Sequence, residues 1–287
     1  MNNQIVYLNG QYLPIEEAHV PVLDRGFIFG DGVYEVVPIY AGVPFRWRHH
    51  LARLKRSLAK IAIANPHDDA GWDHIISELF ARHPWPNQFV YLQVTRGVAK
   101  RDHAFPVGAT PTVFAMASEL VLPPESVRSA GIAVITAPDE RWLHCDIKSI
   151  SLLGNVLARQ KAVEAGAAEC VMLRDGFLTE GSASNLWVVR NGTLLGSPRD
   201  HLVLEGIRYR LLEELAGLCE IPFELRRIAR EELFCADELL LTSATKEVLP
   251  VTSIDGQAVG SGKPGPVWAK IYNAYRQATG RDAIPGL

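Results

Sequence analysis

The chain has no basic excess, no long apolar run and little cysteine, and each shortage excludes a class of protein. Among 287 residues, Lys and Arg number 29 against 32 Asp and Glu, a formal net charge of −3, and no basic block interrupts that balance. Nucleic acid or an anionic membrane as main partner would call for a basic surface, so a small-molecule partner is expected, with no nucleic acid and no membrane. No uninterrupted apolar run approaches the roughly 20 residues needed to span a bilayer. Cys145, Cys170, Cys219 and Cys235 show no CxxC spacing, and Met1-Asn2-Asn3-Gln4 lacks the charged-then-apolar start of a secretory signal. A reducing, cytoplasmic location is the expectation. Neither an internal repeat nor a low-complexity segment breaks the sequence.

What is present is apolar matter for real cores: 48% hydrophobic content in 287 residues allows one large or two medium domains. Short strands are predicted around Ile5 to Leu8 and Tyr12 to Leu13, joined by Asn9-Gly10, and again at Tyr34 to Tyr40 and Val43 to Phe45 around Ala41-Gly42. Leu51, Leu54, Leu58 and Ile61 recur at spacings of three and four and predict a helix from about Arg48 to Ala64. A second helix is predicted over Trp72 to Arg82, then strands at Phe89 to Thr95 and Thr112 to Ala117. Helices beside an antiparallel sheet follow. Pro123-Pro124 marks a stiff, extended boundary, giving an N-terminal domain over 1–120, a linker over 121–130 and a C-terminal domain over 131–287. In the latter, helices are expected at Leu152 to Ala165, Ile207 to Leu218 and Val267 to Ala278. Strands are expected at Ile132 to Thr136, Cys170 to Leu173, Glu238 to Thr242 and Val248 to Ile254, with turns at Asp175-Gly176 and Asn191-Gly192.

Two short runs carry most of the chemistry. Lys148 is flanked by Trp142, Leu143, Ile147, Ile150, Leu152 and Leu153, and such surroundings would desolvate its amine and favour the neutral nucleophile; without those flanks it would read as a surface charge. Glu180 follows the Asp175-Gly176 turn among the small residues Gly181, Ser182, Ala183 and Ser184, where it could end a strand in water or face a flat ring. An amine and a carboxylate so spaced are the pair that pyridoxal phosphate needs, one to bond its aldehyde and one to keep its ring nitrogen protonated. Gly206 leads into a predicted helix whose start could take an anion, and Ser243, Ala244 and the Arg53 guanidinium could add donors. In the polar run from Thr95 to Pro106, Arg101 and His103 stand two positions apart on extended backbone. They form either a solvated charge run or a clamp for one carboxylate.

With these pieces in place, the chain resembles the fold-type IV pyridoxal phosphate aminotransferases, and within them the D-amino acid (D-alanine) branch. The matching runs are Asp24 through Glu35, Arg141 through Ser149, Thr179 through Asn185, Leu204 through Ile207 and Glu247 through Val251, in the family's order and over nearly the whole chain. The resemblance implies an α/β fold of the α+β type, with two mixed α/β domains joined by a short linker, the second binding pyridoxal 5'-phosphate. It implies Lys148 as the Schiff-base lysine and Glu180 as the partner of the pyridine nitrogen, with Ser184 and Asn185 beside the cofactor. Arg53, the amides of Ile207 and Arg208, and the Ser243-Ala244 turn would form the phosphate cup. Arg101 and His103, with Tyr34, would hold the substrate α-carboxylate from the partner subunit of a homodimer. Departures are Ala244 for a threonine, Arg208 for a small polar residue and Ala183 for a serine.

The expected reaction is therefore ping-pong transamination between a D-amino acid and 2-oxoglutarate, giving a 2-oxo acid and D-glutamate. Other readings of the same fold are a branched-chain L-amino acid aminotransferase, which lacks the Arg-x-His pair, an (R)-amine transaminase, and a lyase resembling aminodeoxychorismate lyase. A non-catalytic vitamin B6 carrier is the reading from another class.

Overall fold

Where two adjacent residues can both adopt positive φ, the chain folds back on itself. Asn9-Gly10, Ala41-Gly42, Asp175-Gly176, Asn191-Gly192 and Asp255-Gly256 have positive φ at both positions, the signature of tight two-residue hairpins, and each joins paired antiparallel strands. The computed structural model describes residues 4–281. They form a mixed α/β fold in two compact units, one comprising the chain up to Val121 with Ile147–Leu152, the other Leu122–Asp146 with the chain from Leu153 onward. The Ile147–Leu152 segment, expected with the C-terminal residues, thus packs with the first unit. No helix among the described residues is long and apolar enough to cross a membrane.

The first unit contains β1 (Ile5–Leu8), β2 (Gln11–Pro14), α1 (Arg25–Phe29), β3 (Gly32–Tyr40), β4 (Val43–Pro44), α2 (Trp47–Lys60), α3 (Asp69–Ala81), β5 (Gln88–Thr95) and β6 (Thr112–Glu119). Its six strands form one antiparallel sheet in the order β2-β1-β6-β5-β3-β4. Strict alternation along β5 turns Val90, Leu92 and Val94 to the core, where Leu51, Leu54 and Leu58 of α2 and Trp72, Ile75, Ile76 and Leu79 of α3 meet them. Each leucine so buried contributes roughly 2 kcal/mol relative to exposure. Helix α2 stops at Lys60, short of the predicted Ala64. Ala62 turns to a φ of 52°, and the Arg96 guanidinium donates to the carbonyls of Ile61 and Ala62, satisfying acceptors that a helix end leaves open. Helix α3 starts earlier than predicted because the Asp68 carboxylate accepts from the Gly71 amide, an N-cap.

The second unit contains α4 (Glu125–Ala130), β7 (Ile132–Pro138), α5 (Leu153–Glu164), β8 (Glu169–Arg174), β9 (Phe177–Gly181), β10 (Asn185–Arg190), β11 (Thr193–Gly196), α6 (Ile207–Leu218), β12 (Phe223–Leu225), α7 (Arg230–Phe234), β13 (Glu238–Ser243), β14 (Glu247–Ile254), β15 (Gln257–Ala258) and α8 (Pro266–Ala278). Eight strands run in the order β12-β11-β10-β13-β14-β7-β8-β9, with β15 on β14. The β11–β12, β14–β7 and β7–β8 pairs are parallel. Strands β10 and β13 are buried along nearly their whole length, as strands covered on both faces must be. The expected 121–130 linker is extended only in its first part, because α4 begins at Glu125, directly after the extended Pro124; proline's fixed φ suits the approach to a helix as well as an extended run.

Candidate active site

In the first unit, one face of α2 meets β3. His50, Arg53 and Ser57 recur at three and four residues, so they share a helix face, and all three are buried. Glu35 points to the same side: Arg53 Nε and Nη2 each donate to one of its carboxylate oxygens at 2.7 Å, and His50 Nδ1 lies 2.7 Å from Oε2. Burial works against the Glu35 charge, but the charge and hydrogen bonds of Arg53 and then His50 overcome it and hold its pKa well below the usual carboxylate range. Arg53, expected at a phosphate, commits two donors to this carboxylate.

Ser57 ends that face, and its hydroxyl accepts from the Lys148 amide at 3.3 Å. The Lys148 carbonyl accepts from Tyr34 N at 2.9 Å and Ile150 N donates to the Gly32 carbonyl at 3.1 Å, so residues 148–150 are laid along the start of β3. The structure brings Lys148 and Tyr34 together, with Nζ 3.9 Å from the centre of the tyrosine ring. The apolar residues expected around this lysine divide between the two units. Ile147 packs on the core, whereas Trp142, Leu143 and Leu153 are 46%, 55% and 72% exposed. Arg101 and His103 are exposed on the loop between β5 and β6. They converge on one aromatic ring, the Arg101 guanidinium carbon 5.5 Å and the His103 ring 5.4 Å from the centre of Phe29.

In the second unit, Glu180 near the end of β9 is buried. Arg141 Nη1 donates to its Oε1 at 2.5 Å, and Asn185 Nδ2 and the Leu204 amide donate to Oε2 at 3.1 and 3.2 Å. Burial raises the Glu180 pKa, against the pull of Arg141. Arg141 itself is shared: its Nε and Nη2 donate to the two oxygens of Asp139, each at 2.9 Å, and Thr179 Oγ1 donates to Asp139 as well. Burial disfavours the Asp139 carboxylate too, but Arg141 and Thr179 hold its pKa down at about 2. Ser184, expected beside a cofactor, turns its hydroxyl to buried Glu169 at 2.8 Å, as Ser182 does. Both hydroxyls tie the turn between Glu180 and Asn185 to that carboxylate.

Ile207 and Arg208 are the first residues of α6, which has no side-chain cap, and first-turn amides at a helix start point outward, where they favour an anion. Arg208 reaches the turn after β13, donating from Nε to the Ser243 carbonyl and from Nη2 to the Ala244 carbonyl, both at 3.2 Å, and from Nη1 to the Tyr275 hydroxyl at 2.6 Å. The residue that departs from the family pattern thus braces the Ser243-Ala244 turn. Sequence reading assigned no role to Glu35, His50, Asp139 or Arg141. The spacing of His50 and Arg53 on one helix face was a usable sign of a shared carboxylate; nothing linear links Arg141 to Glu180.

The groups of the second unit, the Glu180 carboxylate and the open amides at the start of α6, fit the ring nitrogen and phosphate of a phosphorylated pyridine. A carboxylate has about four acceptor sites, and Glu180 fills three from within the protein, leaving capacity for one more donor such as a ring N–H. Residues 32–254 match the profile of the Amino-transferase class IV family. The chain is 42% identical over 277 residues to the D-alanine aminotransferase of Bacillus licheniformis, covering 95% of this chain and 96% of that one. It is 36% identical over 273 residues to the D-alanine aminotransferase of Staphylococcus haemolyticus, with the same coverage of 95% and 96%. Among solved structures, the T.th. branched-chain amino acid aminotransferase with pyridoxamine 5'-phosphate superposes with a TM-score of 0.91 at 27% identity, over 98% of this chain and 96% of that one. The chain belongs to the class IV aminotransferases.

Proposed function

We propose that the chain is a pyridoxal phosphate-dependent D-amino acid aminotransferase that passes the amino group of D-alanine to 2-oxoglutarate, giving a 2-oxo acid and D-glutamate. The observation that carries the reading is Glu180, a buried carboxylate held by Arg141 and Asn185 with acceptor capacity to spare. Kinship with D-alanine aminotransferases over nearly the whole chain supports the donor class. When bound, pyridoxal phosphate supplies an aldehyde for the donor nitrogen and a ring that takes up the electrons left at Cα. Lys148 is the residue that would bond it, and Lys148 Nζ, released when the donor nitrogen takes its place, would serve as the base that takes the Cα proton. Glu180 would keep that ring's nitrogen protonated. Arg53, the amides of Ile207 and Arg208, and the Ser243-Ala244 turn would hold the phosphate, while Arg101, His103 and Tyr34 orient the substrate carboxylate.

The same reading includes a homodimer in which Arg101 and His103 serve the partner's site, supported by Leu153, Val156 and Leu157, exposed on α5. It takes the two units as N- and C-terminal domains and places the protein in the cytoplasm, in keeping with four free cysteines. The test is a donor screen of the purified holoenzyme with D-alanine, D-glutamate, L-leucine and a chiral amine. D-Glutamate should form from D-alanine only when 2-oxoglutarate is present, and Lys148→Ala should retain no cofactor after borohydride treatment. Turnover of L-leucine but not of D-alanine would make it a branched-chain enzyme, and pyruvate release beyond one equivalent per site without an acceptor a lyase.

A further inference from the structure

The run Asp24 through Asp31 holds none of the residues just assigned, yet it is among the most tightly bonded segments of the first unit. Asp24 is buried and accepts from the Gly26 amide and from the hydroxyls of Thr95 and Thr112, which fixes α1 to the ends of β5 and β6. Arg25, next in line, is 3% exposed. A guanidinium so deeply desolvated needs partners for its donors. Its Nε donates to Asp31 at 2.8 Å. The rest of the fork turns to the loop beyond β5: Nη1 donates to the carbonyls of Asp102 and Ala104 at 2.5 and 3.3 Å, and Nη2 to that of His103 at 3.5 Å. Three successive carbonyls are thus gathered on one cation. Phe29, at the other end of α1, is the ring around which Arg101 and His103 converge.

We propose that α1 is the mount of the substrate-carboxylate loop, with Arg25 fixing the backbone of residues 102–104 and Phe29 seating the side chains of Arg101 and His103. The segment from Arg96 to Pro111 between β5 and β6 is long and, from Arg101 to Phe105, exposed; connections of that length with no regular structure are costly to hold in one shape. A two-point grip on a carboxylate needs its donors at fixed separation. Arg25 supplies that rigidity without touching substrate, and its own charge is balanced by Asp31, which Arg96 also grips at 2.7 and 3.0 Å. Arg96 completes the mount by lying over the Phe105 ring, its guanidinium carbon 3.7 Å from the centre. Arg25 and Phe29 are positioning residues, acting through Arg101 and His103; the inference rests on the reading of those two as the carboxylate clamp.

The test uses the holoenzyme and propanoate, a carboxylate with no amine to react, whose binding is followed through the cofactor absorbance. Arg25→Lys keeps the charge opposite Asp31 but cannot gather three carbonyls. It should weaken propanoate and raise KM for D-alanine by about tenfold or more, while kcat at saturation changes by less than about threefold and the cofactor spectrum stays that of the parent. Arg101→Ala, run in parallel, should weaken propanoate at least as much. Should Arg101→Ala weaken propanoate while Arg25→Lys leaves it unchanged, the mount is overturned and the clamp stands. Should both leave it unchanged, the clamp fails and the mount with it. If Arg25→Lys gives no folded holoenzyme, Phe29→Leu decides: it removes the seat and no buried charge, and unchanged propanoate affinity in that variant overturns the proposal.

Discussion

At the scale of single residues, the proposed chemistry turns on how much negative charge Glu180 can keep inside the protein. Burial alone would return a proton to it, and a protonated acid cannot hold a ring nitrogen positive. Arg141 Nη1 is the charge that opposes this, at 2.5 Å, and Arg141 is itself fixed on Asp139, with Arg174 near the same carboxylate at 3.2 Å. The two acids and two arginines form one set whose charges balance. Arg141→Gln removes the opposing charge and leaves the burial, so the Glu180 pKa rises further. An activity that needs the ionised form is lost as pH falls through that pKa, so the acid limb of the kcat profile should move to higher pH by about one unit or more. A profile lowered at every pH but unmoved along the pH axis would show that Arg141 does not govern this ionisation.

At the scale of elements, the start of α6 tests whether fold and site are one construction. A Cβ on Gly206 would stand 2.3 Å from the Asn185 side-chain oxygen, and Asn185 in turn donates to Glu180 and to the Leu204 carbonyl. Gly206→Ala should therefore displace both the helix start and a donor to Glu180. The expected cost is about 1 to 3 kcal/mol of stability and about a tenfold rise in the cofactor Kd. Gly217, in the same helix with nothing within 4 Å of its Cβ position, is the control, and Gly217→Ala should stabilise by about 0.5 to 1 kcal/mol. Melting curves with and without cofactor check both, and equal losses in the two states for Gly206→Ala would confine that glycine to folding.

The same helix shows what sequence reading captures. Its predicted span, Ile207 to Leu218, is the one observed, because a glycine start and apolar spacing are local signals. The end of α2 is set instead by Arg96 from a distant strand end, and α1 is five residues long, too short for periodicity to register. Within the proposed site, Lys148, Glu180 and the Arg101–His103 pair could be nominated from sequence because their neighbours form recognisable runs. Arg141 and Asp139 were not, since the tie from Arg141 to Glu180 spans 39 residues and Asp139 acts through Arg141 and Thr179, and the tie of the Ser184 hydroxyl to Glu169 is equally non-local.

At the scale of the whole molecule, the question is whether one chain can complete its own site. On α5, Ala158 and Ala162 face the core while Leu153, Val156, Leu157 and Val163 are exposed, and apolar residues gathered on one helix face are what a subunit interface presents. The first unit adds Phe27, exposed by 76%, with Val22, Phe105 and Val107. If these faces pair two chains, and Arg101 serves the partner's site, subunit mixing distinguishes the arrangements. Lys148→Ala and Arg101→Ala homodimers should each be impaired. In a hybrid, one site lacks both residues and the other lacks neither, so random mixing, in which half the dimers are hybrids with one of two sites intact, should restore about a quarter of the parent activity. If Arg101 acted within its own chain, every hybrid site would lack one residue and mixing would restore nothing. Two differently tagged variants, refolded together and resolved by affinity for both tags, with sedimentation confirming the dimer, would decide which chain supplies the grip on the substrate.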